Sequence, residues 1–407
     1  MYREILKNRN YVLLQMANMV NRLGDSIDAI ALSWLVYEVS QSASSSAINF
    51  AINYLPTVCL QPLMGAYVAK LNKHKVMVIT DIMRGLVISF LAFNVYNQSV
   101  NTNMIYVCTL IMSIVESLRL PASNAIIPLI LDSNDYSSGI ALSSTISRAC
   151  ELIGSAMAGI IISIFGTSLA IFIDAVSFFL SALFIILMKV KETINQNIIK
   201  SSFINNLKDG FKYVLKNKTL LYVMILVSFA NLLLVPFNSL ESAFISDYYH
   251  GDAIFLSIMS VGVTVGSLIG GLIYPLIKDK LSNKILCLSI YLVSGLYYLA
   301  LLLSGLLIAP YIYISVGLSS LVVGLVASAA SCHLSAMIML KTDQSYISRV
   351  GGLFNALGAA LIPIGSFIVA IISQYLNVLT IFVGFGIMTL IISIIAIFDK
   401  RLEILNE

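Results

Sequence analysis

Asn18, Asn21, Arg22, Asp25 and Asp28 follow one another at spacings of three and four, which puts them on one face of a helix. The residues between them are largely apolar, so this face is a stripe of ionisable chemistry in a medium that resists charge. Arg22 and Asp25 can neutralise each other. Asp28 is left over, and a carboxylate without a counter-charge in a low dielectric costs less when protonated, which is what a proton carrier needs. Two further pairs repeat the three-residue spacing, Glu116 with Arg119 and Arg148 with Glu151. Each reads either as an intrahelical ion pair or as a station on a proton path. Asp25, Asp28, Glu116 and Glu151 are therefore the candidates for proton coupling. Asn18, Asn21, Arg22 and Arg148, with Asn231 and Asn238 from the second half of the chain, are the groups available to bind a solute. His333 reads as a hydrogen-bonded structural histidine, and Asp174 as structural too.

Other chemistries find no support. No GxxxxGK[ST] phosphate loop is present, so direct ATP coupling within this chain is not expected. No HExxH occurs, and His74, His250 and His333 are scattered, so neither a metal nor any other cofactor is implied and the chain does not read as an enzyme. Cys59, Cys108, Cys150, Cys287 and Cys332 fall singly inside apolar segments and read as small core residues. The basic residues sit in short clusters between apolar runs, with no nucleic-acid signature.

The elements that must position the polar stripe follow from composition. The 407 residues are 59% hydrophobic and 11% charged, with a mean hydropathy of +0.94. The apolar runs are too long for barrel strands, so the fold expected is all-α and membrane-embedded. Runs of about 20 residues place helices near 11–37, 47–69, 76–96, 104–125, 138–164 and 167–189, then near 219–245, 252–277, 285–304, 310–338, 346–373 and 376–398. That makes twelve spans in two groups of six. The segments around 38–46, 97–103, 165–167, 246–251, 305–309 and 374–377 contain no Lys or Arg, whereas the alternate segments hold Lys70, Lys73 and Lys75, then Arg119, then the basic linker, then Lys278, Lys280 and Lys284, then Lys341 and Arg349. Positive residues are retained inside, so both termini are expected in the cytoplasm and the chain in the cell membrane. The first apolar stretch carries charges and no clear cleavage site, so it reads as a retained helix.

Between the groups, residues 191–218 form a basic linker that separates bundles at 1–190 and 219–407. Within it Phe203, Leu207, Phe211 and Leu215 recur every four residues, the pattern of a helix lying on the membrane with its lysines at anionic headgroups. A plain solvated linker is the alternative. The halves also echo each other. The second and eighth helices end in GAYVAKLNKHK from Gly65 and GLIYPLIKDKLSNK from Gly271, and the fifth and eleventh both open with an arginine, Arg148 and Arg349. Parallel repeats of this kind imply two bundles about a shared site. Pro236 predicts a kink in the seventh helix.

Several segments together resemble the major facilitator superfamily, in its branch of macrolide efflux proteins, drug:proton antiporters and siderophore exporters. They are NRLGDSIDAIALSWLVYEVSQSA from Asn21, PASNAIIP from Pro121, which is similar to the turn after that branch's fourth helix, and Arg349-Val350 followed by Pro363 and Gly365. GAYVAKLNKHK matches the superfamily's gating motif through Gly65, Lys70, Lys73 and Lys75, but Ala69 stands at the acidic position, where Asp81 is the carboxylate available to substitute. The antiporter glycine motif keeps Gly154, Ala158 and Gly159, with Ser155 in place of Pro. The resemblance implies proton-driven export of a hydrophobic or amphipathic small molecule, such as a macrolide-like drug, by a monomer in the lipid bilayer. Aromatic and Met side chains would line its cavity. Export of a siderophore or lipid, or solute import, is the alternative.

Overall fold

The computed structural model describes residues 5–68, 71–132, 135–190, 203–343 and 346–405. Among them every regular element is helical. The helices are α1 (Arg9–Ser40), α2 (Ala43–Val68), α3 (Lys73–Tyr96), α4 (Thr102–Ile130), α5 (Tyr136–Phe165), α6 (Thr167–Ile186), the short α7 (Phe203–Lys216), α8 (Lys218–Phe244), α9 (Ala253–Ile277), α10 (Asn283–Ser304), α11 (Tyr311–Leu340), α12 (Ile347–Ile372) and α13 (Val378–Phe398). Many begin at a side chain that accepts an orphan backbone N–H: Asn8 before α1, Asn72 before α3, Asn101 before α4, Asn217 before α8 and Asn377 before α13.

Ten helices are long and apolar enough to cross a membrane on length and composition, among the described residues. α1 and α2 are not among the ten, because polar residues interrupt them: the stripe from Asn18 to Asp28 in α1, and Asn49, Asn53 and Gln61 in α2. Large apolar side chains such as Phe93, Ile164, Leu272 and Phe398 point outward, as lipid contact requires.

The chain divides into two compact units, residues 1–41 with 52–201, and residues 42–51 with 202–407. In the first, α1 packs on α5 and α6, and α3 on α4 and α6. Two glycines set these approaches. A Cβ on Gly24 of α1 would collide with Asp174 and Ser177 of α6, and one on Gly154 of α5 would stand 2.8 Å from the carbonyl oxygen of Leu23. In the second unit α8 packs on α12 and α13, and α10 on α11 and α13. That is the same set of neighbours displaced by one group of helices, the packing counterpart of the sequence echoes. The glycines of α9 at 262, 266 and 270 press against the backbone of α11.

Two expectations change. The segment PASNAIIP is no turn: α4 runs through Pro121 and Pro128 to Ile130. A helix held by neighbours tolerates such prolines, and Tyr136 Oη donates at 3.3 Å to the Pro128 carbonyl, one of the last four of α4, which have no intrahelical partner. Arg148 lies well inside α5 instead of opening it.

Pro236 interrupts α8 as expected, and the structure shows how the interruption is bridged. Tyr298 Oη of α10 donates to the Leu233 carbonyl at 2.9 Å and accepts from the Phe237 N–H at 3.2 Å. One hydroxyl thus stands between a donor and an acceptor that an unbroken helix would join directly. Tyr298→Phe should leave both groups unpaired in an apolar interior and cost about 1–3 kcal/mol. Thermal melting of the detergent-solubilised protein measures it.

Candidate functional site

The apolar interior of the first unit contains a network of charges drawn from five helices. α3 contributes Asp81 and Arg84, one turn apart and both buried. The Arg84 guanidinium reaches two carboxylates on different helices, Asp25 of α1 at 2.8 Å and Glu116 of α4 at 2.7 Å. It also sits 4.1 Å above the centre of the Phe178 ring, whose face favours a cation. Arg119 of α4 donates through Nε to Asp81 at 3.1 Å and through both terminal nitrogens to Asn18 at 3.4 Å. The second Asp81 oxygen accepts from Ser181 of α6 at 2.6 Å. Asn21 joins the two clusters in the amide orientation that satisfies both neighbours, its nitrogen 2.9 Å from Asp25 and its oxygen 3.2 Å from Arg119. Toward the more open side, one oxygen of Glu151 takes two arginines, Arg22 at 2.7 Å and Arg148 at 3.1 Å.

Two intrahelical pairings expected from spacing are therefore corrected. Arg22 pairs with Glu151 instead of Asp25, and Glu116 with Arg84 instead of Arg119. Close helix packing brings a carboxylate from the next helix within reach of each long guanidinium arm, and Arg84, buried on α3, holds two of them. The Arg148–Glu151 pair does form within α5.

Asp28 and Asp174 lie behind this network. Asp28 is buried, and its Oδ1 finds no hydrogen-bond partner among the described residues. Asp174 is buried completely; Ser177 donates to its Oδ1 at 3.1 Å, and its Oδ2 has no partner among the described residues. Asp174 is within Coulombic range of Asp28, Asp25 and Arg84. Reading single helices missed Arg84 as a hub and gave Asp174 no more than a structural place. The signals were the three-residue spacing of Asp81 and Arg84 in an apolar helix, and Asp174, Ser177 and Ser181 at spacings of three and four. Asp81, the carboxylate available to replace the acid missing from the gating motif, sits inside α3 as the counter-ion of Arg119.

A cavity of about 640 Å³ opens onto the network between α1, α3, α4 and α5. Asn18, Asn21, Arg22, Asp25, Glu116, Arg148 and Glu151 all line it, with Arg84 and Arg119 at its floor. Ser123, Asn124, Ser143, Ser144 and Ser147 add hydroxyls and an amide. Of the aromatic and Met lining that the resemblance implies, Tyr136 is present in this cavity and no methionine is. Asn231 and Asn238 belong to α8 in the second unit; Asn231 donates to the Gly358 carbonyl at 2.9 Å and Asn238 is exposed. Of the gating residues, Gly65 lies in α2, Lys73 and Lys75 in the first turn of α3, and Lys70 outside the described residues. His333 accepts or donates at Nδ1 with Tyr274 Oη at 3.3 Å, as a structural histidine would.

The sequence matches the profile of the transmembrane secretion effector family over residues 5–407. Macrolide efflux protein A of Streptococcus pyogenes is 22% identical over 377 residues, covering 92% of both chains. The staphyloferrin A transporter of Staphylococcus aureus is 20% identical over 384 residues, covering 93% of both. Among solved structures, the nucleoside transporter NupG superposes with a TM-score of 0.74 at 17% identity, over 96% of this chain and 99% of that one. An inward-facing bacterial homologue of the iron transporter ferroportin gives 0.72 at 13% identity, over 96% and 99%. At these identities the structural likenesses establish the fold.

Removing one member of a buried pair strands the other, whereas an exposed pair contributes little. Asp81→Asn should cost about 3–5 kcal/mol by leaving Arg119 uncompensated. Arg148→Gln should cost no more than about 1 kcal/mol. Melting temperatures of the two variants beside the parent protein measure the contrast.

Proposed function

Starting from the fact that the chain belongs to the transmembrane secretion effector family of the major facilitator superfamily, we propose that this multi-pass cell-membrane transporter exports a small molecule in exchange for protons. Twelve spans with both termini in the cytoplasm, in bundles at 1–190 and 219–407 joined by the linker at 191–218, alternate access to the site. The transporter acts as a monomer. The charge inventory of the first unit is the observation that carries the reading. Six carboxylates, Asp25, Asp28, Asp81, Glu116, Glu151 and Asp174, face four guanidiniums, Arg22, Arg84, Arg119 and Arg148. Neutrality in a low dielectric then calls for about two protons, and Asp28 and Asp174 are the acids outside the ion pairs.

Asp28 is assigned the coupling proton, with Asp25, Glu116 and Glu151 as the route between it and the cavity. A carboxylate protonated from outside and deprotonated inside alters the cost of closing its surroundings away from water, and so biases the exchange between states. Cargo is the point on which the two named relatives differ, one being a macrolide efflux protein and the other a staphyloferrin A transporter. The polar lining of this cavity favours a polar metabolite, such as a siderophore, over a wholly apolar drug.

Purified protein in liposomes under an imposed pH gradient tests the reading. Gradient-driven flux of at least one compound is expected from a set spanning macrolides, cationic dyes and siderophores. Asp28→Asn should abolish that flux while leaving solute exchange without a gradient measurable. Unchanged active transport in the variant would remove Asp28 from the coupling step.

A further inference from the structure

Glu151 uses a single oxygen, Oε2, for two guanidiniums, 2.7 Å from Arg22 and 3.1 Å from Arg148. Two unit positive charges therefore share one negative charge. Both arginine side chains are accessible from the cavity, at 39% for Arg22 and 54% for Arg148, so the surplus charge faces the space a solute would enter. Arg22 keeps a buried Nε with no hydrogen-bond partner among the described residues. The other acids on the cavity wall, Asp25 and Glu116, are paired with Arg84, whose single charge they exceed by one, so the positive excess is local to the Glu151 end of the cavity. Ser144 and Ser147, on the same stretch of α5 as Arg148, offer further donors.

We infer that Arg22 and Arg148 form the anchoring site for a carboxylate of the transported molecule, so that the cargo is an oxygen-rich organic anion. The inference rests on the transporter reading of this cavity and narrows it to a substrate class. A guanidinium presents two parallel N–H groups that match the two oxygens of a carboxylate, and such charge-assisted bonds are the strong ones. A lipophilic cation would meet the same two arginines as a repulsive wall. Glu151 occupies part of the anion's place, holding the arginines in position when the site is empty and competing with the incoming carboxylate when it fills. The two kinds of residue therefore have opposite effects on affinity: loss of Arg148 weakens anion binding, and loss of the Glu151 charge strengthens it. A purely structural role for this trio would weaken binding in both cases.

Binding is measured on the purified full-length protein, with citrate as the carboxylate probe and tetraphenylphosphonium as the cation, each titrated by thermal shift. Citrate should stabilise the parent protein saturably. Its apparent affinity should fall about tenfold or more in Arg148→Gln, equivalent to about 1.4 kcal/mol, recover in part in Arg148→Lys, and rise severalfold in Glu151→Gln. The melting curve of each variant without ligand shows that it is folded before affinities are compared. Absence of any citrate effect on the parent, or equal affinities in all four proteins, would overturn the inference. So would saturable binding of tetraphenylphosphonium that Glu151→Gln abolishes. Citrate binding in the expected order with no gradient-driven flux of any compound would leave the anion site standing and remove the proton-coupled exporter. Flux of other compounds without citrate binding would do the reverse.

Discussion

An ionised side chain away from water is costly, and the first unit is folded around a network of ten ionisable ones, some buried and some on its cavity wall. Much of its architecture follows from reducing that cost. Arg22, Arg84 and Arg119 each reach a carboxylate on another helix, so α1, α3, α4 and α5 are tied by charge as well as by packing. Ser181 and Asn21 take up lone pairs and protons that the ion pairs leave over. Gly24 and Gly154 let α1 approach α6 and α5 closely enough for short side chains such as Asp28 and Asp174 to lie between helices and not against lipid. The same constraint explains where the stripe of α1 points: Asn21 and Asp28 are buried, and Asn18, Arg22 and Asp25 line the cavity.

The second unit meets the membrane by different means. Its helices approach through the glycines of α9 and through tyrosine hydroxyls that satisfy backbone groups, Tyr298 at the Pro236 break and Tyr291 at the Leu226 carbonyl. At one end Tyr213 of α7 stacks on Tyr346 with ring centres 4.4 Å apart, and Lys284 binds Glu403 at 2.9 Å. The repeated neighbour pattern in the two units therefore carries unequal chemistry, with the charge concentrated in the first.

Much of this was legible in the sequence, because apolar runs and polar stripes report directly on what a bilayer permits. The face from Asn18 to Asp28 was readable from spacing alone, and so were the helix limits to within a few residues. Partner choice was not. Spacing records which residues share a face of one helix, but Arg22 finds Glu151 and Glu116 finds Arg84 only when helices are brought together. For the same reason Arg84 and Asp174 gained their place from neighbours distant in sequence. PASNAIIP misled in the opposite direction: its resemblance to a family segment marks a turn, while the packed helix continues through Pro121 and Pro128.

With six acids in the network against four guanidiniums, we propose that about two of the acids hold protons within the protein. Infrared spectroscopy of the purified protein in lipid at neutral pH addresses it directly, because a protonated carboxyl group has a C=O stretching band separate from that of a carboxylate. Such a band is expected, reduced in Asp28→Asn and again in Asp174→Asn. A spectrum with no protonated-carboxyl band, or a band that neither substitution alters, would contradict it.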